Sequence, residues 1–237
     1  MRFRWSTFRR LPLGSVIEAG PLFSVLVIAG GVFLFAKLVD AVLEGETHPF
    51  DMAVLLALRD PLDPSDPIGP RWLEVIFRDI TSLGGTTVLT LITAAVIGFL
   101  LVDHKRAAAV LVLVSVGGGA LLSTFLKLGF DRPRPDLVAP LVEVHTASFP
   151  SGHAMLAAVT YLTLRALLAR VLGRQRVKIY VLSVALTLTF LVGLSRIYLG
   201  VHWPTDVLAG WSAGAAWAVL CWRIALALQR RGEVEAS

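Results

Sequence analysis

Six long apolar stretches, separated by shorter polar segments, make up most of the chain. Each is close to the roughly 20 residues that an α-helix needs to cross the hydrocarbon core of a bilayer. None shows the alternation of apolar and polar residues that marks a transmembrane β-strand, and only helices or closed barrels satisfy every backbone group in lipid. We therefore predict an all-α polytopic membrane protein with six transmembrane helices, at 21–43, 84–102, 107–126, 153–172, 178–195 and 204–228.

The first apolar stretch follows a basic segment that carries Arg2, Arg4, Arg9 and Arg10. A cleavable signal peptide has the same order of charge and apolar residues, but its apolar core is only about 7–15 residues long. The stretch 21–43 is longer than that. We expect it to be retained as the first transmembrane helix.

Composition agrees with a bilayer as the solvent of this chain. Of its 237 residues, 56% are hydrophobic and only 16% are charged, whereas a soluble domain carries about 25% charged residues. The net charge is +5, which in a soluble protein would suggest nucleic acid as a partner. Here the basic residues lie mostly between the apolar stretches, so we expect them to set topology and to contact anionic lipid headgroups, with no nucleic-acid partner.

The distribution of lysine and arginine predicts the orientation. With six spans, both termini lie on one side, and that side collects thirteen basic residues against seven on the other. The positive-inside bias then places the termini in the cytoplasm. We expect an integral protein of a bacterial inner (plasma) membrane whose functional face is periplasmic or extracellular. Nothing in the sequence indicates an oligomeric state.

The longest outer segment, 44–82, contains four prolines and so cannot form one continuous helix. Its second half places Leu73, Ile76, Phe77 and Ile80 at helical spacing, with charged residues elsewhere on the helix. This pattern predicts an interfacial helix that lies on the membrane between the first and second spans. It either guides a lipid toward the bundle or packs passively over it.

Three polar blocks fall at the outer ends of the spans. Ionisable groups at membrane depth cost at least a few kcal/mol unless they are paired or solvated, so such a cluster indicates function. Their permanent cations repel one another unless an anion joins them, and arginine and lysine both suit phosphate oxygens. The blocks are Lys127–Pro135, Phe149–His153 and Ser195–Asp206.

The second block adds another device for binding an anion. Ser151 suits the N-cap of the fourth span, and Gly152 allows a ligand to approach the backbone closely. The free N–H groups and the positive dipole end of this helix would then face the same region as Lys127, Arg134 and Arg196. We expect these residues to form a phosphate cradle without a metal.

The third block pairs a histidine with a carboxylate. Pro204 suits the first position of a helix, which places Asp206 near the third position, where it can reach back over the turn. Asp206 could accept the Nδ1–H of His202 and leave Nε2 free to attack phosphorus. His153, from another helix, could protonate the departing alkoxide.

The blocks K-x6-R-P, P-S-G-H and S-R-x5-H-x3-D resemble the three-part signature of the type 2 phosphatidic acid phosphatase superfamily. All eleven specified positions are present in order between Lys127 and Asp206. The resemblance implies a helical-bundle core and a phosphohistidine intermediate. We expect no cofactor and no metal. The resemblance implies catalytic roles for His202, Asp206 and His153. The residues that would hold the phosphoryl oxygens are Lys127, Arg134, Ser151, Gly152 and Arg196.

The resemblance also implies a substrate class, a lipid phosphate met in the membrane. The candidates are undecaprenyl diphosphate, phosphatidylglycerol phosphate, phosphatidic acid and lipid A phosphate. We expect one domain over 1–237, with its motif core at 127–206, that hydrolyses a lipid phosphomonoester or diphosphate.

Three other functions remain open at this point. A lipid phosphotransferase would use the same residues but pass the phosphoryl group to an acceptor other than water. A vanadium haloperoxidase has a similar pocket, although those relatives are mainly soluble. A non-catalytic transporter that binds phospholipid headgroups would need the cations, but not the pair of histidines or Asp206.

Other polar residues have simpler explanations. We expect His48, His104 and His145 to be structural or solvent-facing, because they have no metal-ligand spacing. Lys37 and Asp40 lie one turn apart on a helix, where an ion pair is expected. Asp131 and Arg132 lie inside the first block but off its specified positions, and we expect a local ion pair there, with a role in tuning the site as the alternative. Close helix packing is expected at Gly117–Gly119, Gly210 and Gly214.

Overall fold

The computed structural model describes residues 13–136 and 147–230, with the side chains of 13–20 and Arg230 left out. The basic segment Met1–Arg10 and His145, which entered the predictions above, lie outside the described residues. The described part of the chain is all-α. Its helices are α1 (Leu13–Leu43), α2 (His48–Leu56), α3 (Arg71–Ser82), α4 (Thr86–Val102), α5 (Arg106–Gly129), α6 (Gly152–Val171), α7 (Gln175–Tyr198) and α8 (Pro204–Arg230).

The helices confirm an integral membrane bundle. Five of them, α1, α5, α6, α7 and α8, are long and apolar enough to cross a bilayer. The predicted second span corresponds to α4, which has 17 residues and joins α3 at a bend of 45°. The two together form a sixth candidate span, broken where α3 turns into α4.

Two helices extend further at their polar ends than the apolar pattern predicts. The predicted third span ends at residue 126, whereas α5 continues to Gly129 and carries Lys127 on its last turn. The predicted fifth span ends at residue 195, whereas α7 continues to Tyr198 and carries Arg196. The apolar pattern stops at the first charge, but the helix continues because these charged side chains face a cavity rather than lipid.

Helix α6 lies at the centre of the bundle, where it contacts α4, α5, α7 and α8. Its close approach to α8 depends on two glycines. A Cβ on Gly210 would lie 2.6 Å from the carbonyl oxygen of Ser151, and one on Gly214 would lie 2.6 Å from that of Met155. The predicted packing role is therefore confirmed for these two glycines, and it positions the first turn of α6 against α8.

Close packing is also confirmed for Gly118 and Gly119, which face Trp217 and Val159. At Gly117 an added Cβ would meet no atom within 4 Å, so the prediction is wrong there. The stripe of three glycines presents only two of its members to neighbouring helices.

Gly210→Ala should lower the thermal stability of the detergent-solubilised protein. The added methyl group would meet the backbone carbonyl of Ser151, which cannot move aside as a flexible side chain can. Helix α8 must therefore move away from α6, at an overpacking cost of about 1–3 kcal/mol. Thermal unfolding of Gly210→Ala and of Gly98→Ala measures the effect. The control site has nothing within 4 Å of an added Cβ. An unchanged melting temperature for Gly210→Ala would show that this contact does not limit the packing.

The segment between α1 and α4 packs over one end of the bundle. Leu55 of α2 joins a buried cluster with Trp203 and Val207, while Phe77 of α3 stacks on Tyr198 with ring centroids 4.1 Å apart. The charged residues Arg78 and Asp79 of α3 are exposed, whereas Leu73 and Phe77 are partly buried. Helix α3 is therefore amphipathic, as predicted, and the segment contributes packing to the end of the bundle where the polar blocks lie.

Candidate active site

A cavity of about 280 Å³ opens at the end of the bundle where α5 and α7 end and where α6 and α8 begin. The alternation of helix directions brings the three polar blocks together here. Six of the eight predicted site residues line it, namely Lys127, Arg134, Gly152, His153, Arg196 and His202. Ser151 and Asp206 do not line the cavity but lie directly behind its wall.

Two of the cations are held by backbone carbonyls. The Lys127 ammonium donates a hydrogen bond to the carbonyl oxygen of Ala147 at 2.6 Å. Arg134 donates from Nη1 to the carbonyl oxygen of Val201 at 2.5 Å, and the same Nη1 lies 3.3 Å from Nε2 of His202. Burial lowers the pKa of Arg134, and the nearby Asp206 carboxylate opposes that shift. Arg134 is thus fixed beside the histidine ring by a contact that leaves its charge in the cavity.

The third cation, Arg196, is only 3% exposed. Its Nη1 donates to the hydroxyl of Thr81 on α3 at 2.9 Å. Its Nε is buried and has no hydrogen-bond partner among the described residues. Leaving a buried charged donor unsatisfied costs at least about 1–3 kcal/mol. This arrangement favours an anion in the cavity as the missing acceptor.

The N-terminus of α6 forms another part of the wall. Ser151 is the N-cap, and its hydroxyl accepts a hydrogen bond from the backbone N–H of Ala154 at 3.5 Å, as the sequence predicts. A Cβ on Gly152 would lie 3.4 Å from the hydroxyl of Ser123 and 3.5 Å from Cε of Lys127, so the first turn of α6 lies close to both side chains. The positive end of the helix dipole adds to the attraction for an anion.

The histidine and the carboxylate of the third block meet as predicted. Asp206 lies on the first turn of α8, which begins at Pro204. Its Oδ2 lies 3.3 Å from Nδ1 of His202 and accepts the backbone N–H of Trp203 at 2.9 Å. The hydroxyl of Ser148 donates to the same oxygen. These contacts favour the tautomer with the proton on Nδ1, which leaves the Nε2 lone pair on the side of Arg134 and the cavity.

Burial lowers the pKa of His202 to about 4, although the hydrogen bond to Asp206 opposes this shift. The ring is only 2% exposed, so the charged form is poorly solvated. At neutral pH the imidazole is therefore neutral, which is the form that has a lone pair for nucleophilic attack.

The predicted local ion pair between Asp131 and Arg132 is wrong. Arg132 points instead to two buried carboxylates, with Nη1 2.6 Å from Asp206 Oδ1 and Nη2 2.7 Å from Asp51 Oδ2. The reason is geometric: the exposed Asp131 has water, while the buried carboxylates need a cation.

Several other polar residues belong to the site although no motif marks them. Ser123 and Thr124 line the cavity, and their place one turn before Lys127 on α5 was a usable signal. The sequence gives no comparable signal for Thr81 or Thr86, whose proximity depends on the turn between α3 and α4.

Four other polar residues singled out by the sequence lie outside the cavity wall. Lys37 and Asp40 form the expected pair at 3.7 Å. His104 is exposed, and His48 is an exposed residue whose ring lies edge-on to Trp203 at 5.6 Å between centroids. Within 13–136 and 147–230, no three His, Cys, Asp or Glu side chains are grouped as metal ligands.

Comparisons with known proteins agree with the motifs and with the fold. The family model of the PAP2 superfamily matches residues 108–230. Phosphatidylglycerophosphatase B of Bacillus subtilis is 37% identical over 146 residues, which are 60% of this chain and 70% of that protein. Undecaprenyl-diphosphatase of Sulfolobus acidocaldarius is 38% identical over 68 residues, 29% of each chain.

Solved structures give the same result. The transmembrane PAP2-type phosphatidylglycerolphosphate phosphatase from Bacillus subtilis superposes with a TM-score of 0.72 at 30% identity, covering 87% of this chain and 98% of that one. LpxE of Aquifex aeolicus superposes with a TM-score of 0.50 at 28% identity, covering 73% of this chain and 91% of that one. The motifs, the bundle and these relatives together show that this chain is an integral membrane member of the PAP2 superfamily.

Proposed function

We propose that this protein is a lipid phosphate phosphatase that works through a covalent phosphohistidine on His202. The observation that carries the proposal is that His202 lines a cavity together with three cations, while its Nε2 lies 3.3 Å from Arg134 Nη1 and its Nδ1 lies 3.3 Å from Asp206 Oδ2. The similar proteins named for phosphatidylglycerophosphate and undecaprenyl diphosphate support a lipid phosphomonoester or diphosphate as substrate. The catalytic domain extends over 1–237 in this proposal, with its core at 127–206.

In the first step, Nε2 of His202 attacks phosphorus and the bond from phosphorus to the leaving oxygen breaks. His153 gives its proton to that oxygen, so that a lipid alcohol departs from a monoester and a lipid monophosphate departs from a diphosphate. The Asp206 carboxylate stabilises the positive charge that develops on the His202 ring. Both histidines line the same cavity, which supports this division of roles.

In the second step, water attacks the phosphorus of the phosphohistidine. His153, now deprotonated, takes a proton from the water, and the phosphorus–nitrogen bond breaks. Inorganic phosphate leaves, and His202 returns to its neutral state. Each proton that His153 donates in the first step is thus recovered in the second.

Electrostatic stabilisation of the phosphoryl group comes from the cavity wall. Lys127, Arg134 and Arg196 supply three positive charges, and the first turn of α6 supplies backbone donors at Gly152. These groups are fixed by the fold before substrate arrives, so little reorganisation is needed in the transition state. We propose that they take the place of a metal ion.

The membrane orientation is also a proposal. We place both termini in the cytoplasm and the cavity on the periplasmic or extracellular face of a bacterial inner membrane. The bias of lysine and arginine toward the other end of the bundle supports this placement.

Phosphate release from purified protein tests the proposal. Wild type in detergent with EDTA should release phosphate from at least one of the four candidate lipids, and His202→Asn should not. Release that requires an added metal would contradict the metal-free mechanism. Equal release by wild type and His202→Asn would show that His202 is not the nucleophile. With a substrate whose phosphoryl group is labelled with ³²P, recovery of the label on an added alcohol instead of in inorganic phosphate would identify a phosphotransferase.

His153→Asn should lower kcat on a lipid alkyl phosphate by about 10²–10⁴-fold, the range for a lost general acid. The loss in the first step should be much smaller with an aryl phosphate, because a phenolate departs without being protonated. Burst kinetics with both substrates measure the two steps separately. An equal loss of the burst rate on both substrates would contradict the role of His153 as an acid.

Activity should persist in mildly acidic solution. His202 must be neutral to attack, and its pKa is lowered to about 4. Its contribution to the pH profile of kcat/KM is therefore full above that value and lost as the pH falls through it, whereas an ordinary histidine would be half protonated near pH 6.5. A loss of kcat/KM as the pH falls through about 6.5 would contradict this assignment if the loss persists when each of the other histidines is replaced.

A further inference from the structure

Asp51 is a fully buried carboxylate in α2, in the outer segment that no motif covers. Its Oδ1 accepts the backbone N–H of Thr205 at 2.9 Å, and its Oδ2 accepts the Thr205 hydroxyl at 2.7 Å. Thr205 is the second residue of α8, so Asp51 satisfies a free donor at the start of that helix. The carboxylate is held in one orientation by a helix that also carries Asp206.

Arg132 links this carboxylate to the site. Its two terminal nitrogens donate in a fork, Nη2 to Asp51 at 2.7 Å and Nη1 to Asp206 Oδ1 at 2.6 Å. Nη1 also donates to the Thr205 hydroxyl at 2.8 Å, and the guanidinium lies over the Trp203 ring at 5.6 Å. A planar guanidinium with this many fixed partners holds both carboxylates in place, which an ammonium could not do.

The two carboxylate oxygens of Asp206 therefore have different partners. Oδ1 receives Arg132, while Oδ2 faces Nδ1 of His202. Charges alternate from Asp51 through Arg132 to Asp206, and Asp206 in turn faces the neutral His202 ring. Neither Asp51 nor Arg132 lines the cavity, so neither has direct access to a phosphoryl group there.

We propose that Asp51 and Arg132 are positioning residues that act through Asp206 to orient and tune His202 as the nucleophile. The inference rests on the proposed function, since it assigns His202 that role. Arg132 fixes the plane of the carboxylate so that Oδ2 meets Nδ1, and it withdraws negative charge from the group that holds the histidine proton. Asp51 balances the charge of Arg132 and sets the position of its fork.

Steady-state kinetics of Arg132→Gln, Arg132→Lys and Asp51→Asn test the inference. Arg132→Gln should lower kcat by about 10- to 100-fold, as for outer partners of functional histidines, with KM changed by less than about twofold. Asp51→Asn should act in the same direction, and its effect should vanish in the Arg132→Gln background because the two act as one unit. Arg71→Gln and Asp63→Asn, exposed charges of the same outer face, are matched controls.

The pH profile distinguishes positioning from simple structural support. Without the Arg132 charge, Asp206 holds the His202 proton more tightly, so the acid limb of kcat/KM should move up by about one pH unit or more. Arg132→Lys keeps the positive charge, so it should lower kcat but leave the acid limb of kcat/KM at the wild-type pH. Asp51→Asn should leave the acid limb at the wild-type pH or move it to a lower pH. The other charged and titratable groups that face His202 remain in all variants, namely Arg134, Arg196 and His153.

Histidine-selective ¹⁵N NMR of the detergent-solubilised protein reads the His202 ring without relying on activity. With the signal assigned by its absence in His202→Asn, Arg132→Gln should raise the pKa of His202 and weaken the preference for the Nδ1–H tautomer. Unchanged titration and tautomer in folded Arg132→Gln would overturn the inference. If Arg132→Gln shows these changes relative to wild type, but wild type releases no phosphate, the proposed function alone would be overturned.

Discussion

His202→Asn should lower kcat for phosphate release by about 10⁴-fold or more, the largest effect of any substitution in the chain. Asparagine keeps a donor that can reach Asp206, so the buried carboxylate retains a partner and the fold survives. The variant has no nitrogen lone pair to attack phosphorus, and loss of a nucleophile commonly costs about 10⁴–10⁶-fold. Phosphate release under saturating lipid phosphate in detergent measures the effect.

His104→Asn is the matched control for this prediction. His104 is exposed at the other end of the bundle, and its backbone φ is +56°, a conformation that asparagine adopts readily. Its kcat should equal that of wild type. Residual activity in His202→Asn within about tenfold of wild type, in protein with an unchanged melting temperature, would contradict the nucleophilic role.

Arg196→Gln should lower kcat by about 10³-fold. Arg196 supplies a buried charge at the cavity and an Nε donor without a partner among the described residues. Its contact with the phosphoryl group should strengthen as charge develops in the transition state, as it does for arginines in other phosphoryl transfers. Arg196→Lys keeps the charge but not the fork, so its kcat should lie between those of wild type and Arg196→Gln.

Arg176→Gln makes the same substitution in the same helix, at an exposed position near its other end. It should leave kcat unchanged. Thr81→Val removes the hydroxyl that holds Nη1 of Arg196 and should lower kcat by about tenfold, because a loosely held donor stabilises the transition state less. Equal values of kcat for Arg196→Gln and Arg176→Gln would show that Arg196 does not contact the reacting group.

The sequence predicts the bundle well because lipid imposes a strong pattern. A helix in the bilayer must be predominantly apolar, so the five clear spans appear directly in the hydrophobic pattern. The pattern is less informative where the chain meets the cavity. Lys127 and Arg196 are polar, yet they continue α5 and α7, since the bundle interior receives their charges.

The motif residues of the site were predictable because they lie at ends of helices that the topology brings to one face. The partners behind them were not. Asp51 and Arg132 are 81 residues apart in the chain, and nothing local to either residue indicates their contact. Ser148 likewise reaches Asp206 only through the approach of the segment before α6 to the start of α8.

Trapping of the covalent intermediate tests the central claim most directly. His153→Asn should form the phosphoenzyme from a ³²P-labelled aryl phosphate but hydrolyse it slowly, because no base activates the water. After rapid quenching and digestion in alkali, which preserves the phosphorus–nitrogen bond, the label should be on the peptide that contains His202 and absent from His153→Asn/His202→Asn. Label on another residue, or equal labelling of both proteins, would contradict the account.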